Sequence, residues 1–220
     1  MSFTGIGEDA FDFYAGLEAD NSKAYWTDHA ETYRTAVKEP MEALLAELAP
    51  EFGTGSLFRP YRDVRFSHDK SPYKTHAGAL LRKEGSTGGL YLQVGSDGML
   101  VAAGYYQMAP DQLERFRRAV DDDLAGAALE RLLGALATTG LETRGELVRT
   151  RPRGWAADHP RIDLIRRKGL YAGRQWEPAE WMHTPACAAE VATAFRTVAP
   201  LQDWLAVNVG ASTAEPSRRR

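Results

Sequence analysis

The chain has 220 residues, 44% of them hydrophobic and 26% charged, and a formal net charge of −3. That composition is ordinary for a globular protein, and no apolar run approaches the roughly 18 residues that a membrane span needs. The single cysteine, Cys187, excludes an intramolecular disulfide and Cys-based zinc sites.

The first thirteen residues are acidic, without the basic and apolar regions of a secretory signal, so the cytoplasm is the expected location. Glu8 to Glu18 predicts a short amphipathic helix with Phe11, Tyr14 and Leu17 on one face. Asn21 is the expected N-cap of the next helix, which carries Tyr25, Trp26, His29, Tyr33 and Val37 at helical spacing. Pro40 either kinks that helix or opens a new one, and the apolar stripe continues through Met41, Leu44, Leu45 and Leu48.

The period then changes from helical to alternating. Leu57 to Ser67 predicts a strand with Phe58, Val64 and Phe66 on one face and Arg59, Tyr61, Asp63 and Arg65 on the other. Arg62 falls between Phe58 and Val64 on the apolar face, so it is expected to be mostly buried and paired with an anion. After a loop at 68–74, a second strand is expected over 75–83. The segments 90–94 and 99–106 flank Asp97-Gly98, a two-residue hairpin signal.

Helices are expected at 110–123 and 127–139, with Gly140 at the C-terminal cap. A strand is expected at 147–151, a short helix at 158–168 ended by Gly169, an extended segment at 169–176 and a final helix at 184–207. Together these predict an α+β fold: a central, mostly antiparallel sheet with N-terminal and C-terminal helices packed on it. It is read as one domain over residues 1–210, followed by a disordered basic tail at 211–220.

Charge is segregated along the chain. Residues 1–56 hold eleven acidic and three basic side chains, a balance of −8. Residues 57–83 hold seven basic and two acidic, +5, and residues 144–174 nine basic and three acidic, +6. The densest stretch is Tyr61-Arg62-Asp63-Val64-Arg65-Phe66-Ser67-His68-Asp69-Lys70-Ser71-Pro72-Tyr73-Lys74-Thr75-His76. Together with Asp20-Asn21 and Trp26 near the start, Arg151-Pro152-Arg153-Gly154-Trp155, His159-Pro160 and Lys168-Gly169, it resembles the bacterial and fungal family catalogued as domain of unknown function 2461. The resemblance covers roughly residues 3–208 and departs at Asp20, where a second Asn is the family pattern. It implies a single α+β domain and supplies no assigned catalytic residue.

Chemistry must therefore come from the residues. Lys70 and Lys74, with Ser67, Ser71 and Thr75, make a donor-rich loop that lacks the Gly-Lys-Ser/Thr pattern of a P-loop. Ser67, His68 and Asp69 are consecutive, whereas a catalytic triad is assembled from distant segments. His29, His76, His159 and His183 show no metal-binding spacing, so no metal site is expected. Arg and Lys interleaved with Tyr61, Phe66 and Tyr73 are suited to nucleic acid, but the chain is acidic overall with a pI of about 6.0 and carries no nucleic-acid-binding signature.

Two readings stay open. In the first, Arg62, Arg65, Lys70 and Lys74 clamp a small phosphate- or carboxylate-bearing ligand in a pocket. Arg151, His159 and Lys168 close its far side, and Asp63 or His159 is the available general base if chemistry follows. In the second, the chain is a non-enzymatic interaction protein whose charged segments are structural or bind a partner protein or nucleic acid. Convergence of Arg62, Lys70 and Lys74 on a cavity favours the first; ion pairs to local carboxylates without a cavity favour the second.

Overall fold

The computed structural model describes residues 2–65 and 68–213. The N-terminal helical periodicity is divided among several elements: α1 Glu8–Ala19, α2 Lys23–Asp28, α3 Ala30–Thr32, a π-helical turn Tyr33–Lys38, and α4 Glu39–Phe52. Pro40 stands in the first turn of α4, directly after the π turn. It has no N–H to offer the preceding turn, and a locally widened winding accommodates that loss. Gly53 ends α4 with φ +88; a Cβ there would stand 2.1 Å from the Arg82 carbonyl oxygen, so only glycine fits.

Six strands form an antiparallel sheet in the order β1-β2-β3-β4-β6-β5. They are β1 Thr54–Leu57, β2 His76–Arg82, β3 Gly89–Gly95, β4 Gly98–Tyr105, β5 Glu142–Arg144 and β6 Leu170–Trp176. The register aligns Leu57 with Ala79 and Ala79 with Leu92, which puts the buried side chains of β2 and β3 on a shared face. The expected hairpin is present with its turn one residue earlier, at Ser96 and Asp97. Gly98, at φ +99, opens β4 and faces the Trp176 carbonyl.

The remaining helices are α5 Pro110–Asp121, α6 Asp123–Thr138, α7 Ile162–Ile165 and α8 Ala186–Asn208, with a 3₁₀ turn at Glu180–His183 before α8. Asp122 caps α6, accepting from the Leu124 and Ala125 amides at 3.0 and 2.8 Å.

Three expectations fail locally. No strand runs through the described part of 58–67: β1 ends at Leu57, where that strand was expected to begin; Pro60 has no amide to continue the ladder, and Phe66 and Ser67 lie outside the described residues. The strand expected at 147–151 is a single bridge, Leu147 to Arg167, and the short strand of this region is β5. The helix expected over 158–168 is confined to four residues.

The chain divides into two compact units. The first comprises Met1–Glu84, Leu90–Val101 and Gln175–Ala194; the second comprises Gly85–Gly89, Ala102–Arg174 and Phe195–Arg220. In the first, Phe11, Tyr14, Leu17, Met41, Leu44, Leu81, Leu92 and Cys187 are buried, and α4 packs on β1 and β2. In the second, Phe116, Val120, Leu129, Leu141, Ile165, Phe195 and Leu205 are buried. Ser212 Oγ and the Thr213 amide each donate to Asp111 at 2.8 Å. The rest of the tail, 214–220, lies outside the described residues.

Candidate functional site

Between β1 and β2 the chain leaves the sheet as an arm, residues 58–75. The last ladder bond is the Phe58 amide to the Gly78 carbonyl at 2.8 Å. One isolated bridge, Tyr61 to Tyr73, joins the two limbs. Arg62 N–H donates to Pro72 O at 2.9 Å and Lys74 N–H to Pro60 O at 2.8 Å. Both prolines thus serve as acceptors, the one backbone role left to them.

The arm is anchored by a residue 52 positions away. Asn21 Nδ2 donates to the Tyr73 carbonyl at 3.2 Å, and the Tyr73 amide donates to Asn21 Oδ1 at 3.0 Å. The side-chain amide therefore satisfies both backbone groups of a residue that is 5% exposed. Trp26 stacks on the Tyr73 ring at 4.3 Å and 7°, and Tyr61 lies 5.4 Å from it. Asn21 is not the cap of α2: Ser22 holds that place, its Oγ accepting from the Tyr25 amide at 3.1 Å.

The four cations expected to clamp a ligand on the arm are each engaged locally. Arg62 is a third exposed rather than mostly buried, and its guanidinium pairs with Asp69. The alternation that placed it on an apolar face assumed a strand that ends five residues earlier, and Phe58 is itself 40% exposed. Arg65 grips Asp63 through Nε at 2.9 Å and Nη2 at 2.7 Å. Lys70 Nζ donates to Val64 O and Lys74 Nζ to Arg59 O, both at 2.9 Å, and Lys74 also lies 5.4 Å from the centre of the Phe58 ring.

Hydrogen bonds from the Ser71 hydroxyl and amide, then Arg62, hold the Asp69 carboxyl down at about 2. Arg65 does the same for Asp63, also at about 2. Burial first, then the positive charge of Arg59, lowers the proton affinity of Lys74. Burial and then Lys74 lower that of His76. The Arg59 guanidinium has no ion pair among the described residues. An open cleft in this unit is lined by Ala49, Pro50, Gly53, Thr54, Arg82, Lys83 and Glu84, none of them from the arm.

Arg151, His159 and Lys168 belong to the second unit, where each has its own partner. Arg151 Nη1 donates to the Trp155 carbonyl, and Lys168 Nζ pairs with Glu146. His159 Nδ1 accepts from the Arg161 amide at 3.0 Å, which leaves Nε2–H to donate to Asp121 Oδ1 at 3.0 Å. With both ring nitrogens occupied, His159 has none left for general-base work. Asp63 is held by Arg65, which lowers its proton affinity below that of an ordinary carboxylate.

Cys187 is a packed thiol, pushed up to about 12 by burial. Among the described residues no group of three or more His, Cys, Asp or Glu side chains could hold a metal ion, and no helix is long and apolar enough to cross a membrane.

The family model described as Conserved hypothetical protein (DUF2461) matches residues 9–204. The chain belongs to this family. No curated protein and no solved structure shows a significant match to it. The matched span of this DUF2461 member contains the whole arm, its Asn21 anchor and the second basic segment. Asn21 drew notice in the sequence as a cap, but no local signal marks the bond to Tyr73, because the two are 52 residues apart. Neither Arg117 nor Arg167 stands out in the sequence; both acquire significance from their surroundings in the fold.

Proposed function

We propose that this DUF2461 protein is a non-enzymatic interaction protein whose basic–aromatic arm docks on a partner protein bearing an acidic and apolar patch. The observation that carries the reading is the exposure of Phe58 and Tyr61, at 40% and 52%, on the same short arm as Arg59, Arg62, Arg65, Lys70 and Lys74. Exposed aromatic rings, Tyr61 lying against the Trp26–Tyr73 stack, rimmed by cations make an anchor for a protein surface. The partner is a protein rather than nucleic acid because exposed carboxylates on α1 to α4, such as Glu8, Asp12, Glu31 and Glu42, would repel an extended polyanion.

The test is fluorescence anisotropy with a labelled acidic, tyrosine-containing copolypeptide and, separately, single-stranded DNA. Binding of the polypeptide is expected to weaken at least tenfold in a Phe58→Ser/Tyr61→Ser variant and to fall with salt. Equal loss for DNA, with tighter DNA binding by the wild type, would replace the protein partner with nucleic acid. Binding unchanged by the double substitution would remove the arm from the interaction.

A small anion is the second reading: the Arg59 guanidinium makes no ion pair among the described residues, Lys74 Nζ bonds the carbonyl of the same residue, and burial, Lys74 and Arg62 lower the proton affinity of nearby His76 against the opposing charge of Asp97. An anion bound there would raise the proton affinity of His76, which NMR titration with and without phosphate reads directly.

A further inference from the structure

Among the described residues of the second unit, two partly buried arginines make no ion pair. Arg167 follows α7, and its backbone bridges to Leu147. Its Nη1 donates to the Gly145 carbonyl at 3.2 Å, while its Nε is shielded from solvent and bonds to nothing. The neighbouring cations are provided for. Arg161 pairs with Glu130 at 2.8 Å, Lys168 pairs with Glu146, and Arg166 donates to the Val148 and Arg149 carbonyls and meets Asp163 at 3.4 Å. Arg117 reaches the same segment from α5, its Nε donating to Ile165 O at 3.1 Å, and it too has no ion pair among the described residues.

Burial lowers the proton affinity of both guanidiniums. At Arg167 the negative charge of Asp163 opposes that effect without cancelling it. A cation taken partly out of water without a carboxylate, and with one N–H unbonded, is a standing cost to the fold. The same segment carries nine basic side chains against three acidic ones.

We propose that Arg167, with Arg117 from α5, is the anchor of a binding site for a small oxyanion, phosphate or carboxylate in class. Such an anion supplies the ion-pair partner that neither arginine has among the described residues. The site is independent of the arm.

The experiment is thermal denaturation and calorimetric titration of the full chain with inorganic phosphate and with citrate, against chloride at matched ionic strength. Wild-type Tm is expected to rise with phosphate or citrate by several degrees. Arg167→Met removes an uncompensated charge while keeping an apolar stem, so in chloride it should melt no lower than wild type, and its anion-dependent rise should vanish. Arg117→Met should reduce the rise, and Arg62→Met, on the arm, should keep it. Arg167→Lys, which retains the charge without the planar fork, should bind at least tenfold more weakly and serves as the reporter if Arg167→Met does not fold.

The proposal is overturned if wild type shows no anion-dependent rise, or if Arg167→Lys binds as tightly as wild type. It is also overturned if the rise survives Arg167→Met and is lost in Arg62→Met, which would put the anion on the arm.

Discussion

The arm at 58–75 and the segment at 145–168 are both basic, both mostly irregular and both inside the DUF2461 match, yet they handle their charge in opposite ways. On the arm, carboxylates two and seven residues away neutralise Arg65 and Arg62, and the pairs stand in water. In the second segment guanidiniums are drawn inward onto backbone carbonyls, and Arg167 makes no ion pair among the described residues. The lesson is that the charge of a segment does not reveal which cation is available to a ligand. Availability depends on burial and on who already answers the charge, and two stretches of similar composition can differ in both.

The largest expected effect sharpens what holds the arm in place. Asn21→Ala strands both backbone groups of Tyr73, a nearly buried residue, and should cost about 2–4 kcal/mol in urea unfolding because each unpaired group carries a desolvation penalty. Hydrogen exchange over 60–75 should accelerate more than that over β3. A loss under about 0.5 kcal/mol would show that the Trp26–Tyr73 stack alone suffices.

The next test sets one arginine from each unit against the other. Arg161 is 11% exposed and bonds to Glu130 and the Val120 carbonyl, so Arg161→Ala should cost about 1.5–3 kcal/mol. Arg62, a third exposed and paired with a carboxylate that is half in water, should cost under about 1 kcal/mol. Equal costs would erase the contrast between an inward and an outward arginine.

Acid titration probes the arm's carboxylates. Asp69 has an ordinary value of 3.8 and is held at about 2 in the fold, so the folded state binds its proton less readily than the unfolded chain. Its contribution is therefore present above about pH 4 and is lost as the pH falls through about 2. Asp69→Asn should narrow the stability gap to wild type across that window; a constant gap from pH 5 to 2 would show that the carboxylate is not stabilised by Ser71 and Arg62.

The smallest effect concerns His76, whose proton affinity is lowered by burial and then by Lys74. Its stabilising contribution is present above the ordinary value of 6.5 and is lost as the pH falls below it. In Lys74→Met the burial remains and the charge is gone, so the His76 midpoint by NMR should move part of the way back toward 6.5. No movement would mean that burial alone sets it.

Much of the architecture was legible without coordinates. The helical spacing of Phe11, Tyr14 and Leu17, the hairpin around Asp97 and Gly98 and the paired helices before Gly140 all depend on local pattern and composition. A period of 3.6 or 2 states which face a side chain occupies, and faces decide the α+β class. The same rule misplaced Arg62, because alternation persists in the letters after Leu57 while the ladder has stopped at Phe58, before Pro60.

What only the tertiary structure decided is the partner of each polar group. Asn21 clasps Tyr73 rather than capping α2, His159 spends both nitrogens on Asp121 and the Arg161 amide, and Arg167 ends with an unbonded Nε. Hydrogen bonds act over about 3 Å and depend on direction. Which donor meets which acceptor across 38 or 52 residues is therefore set by how the elements pack, and periodicity along the chain does not encode it.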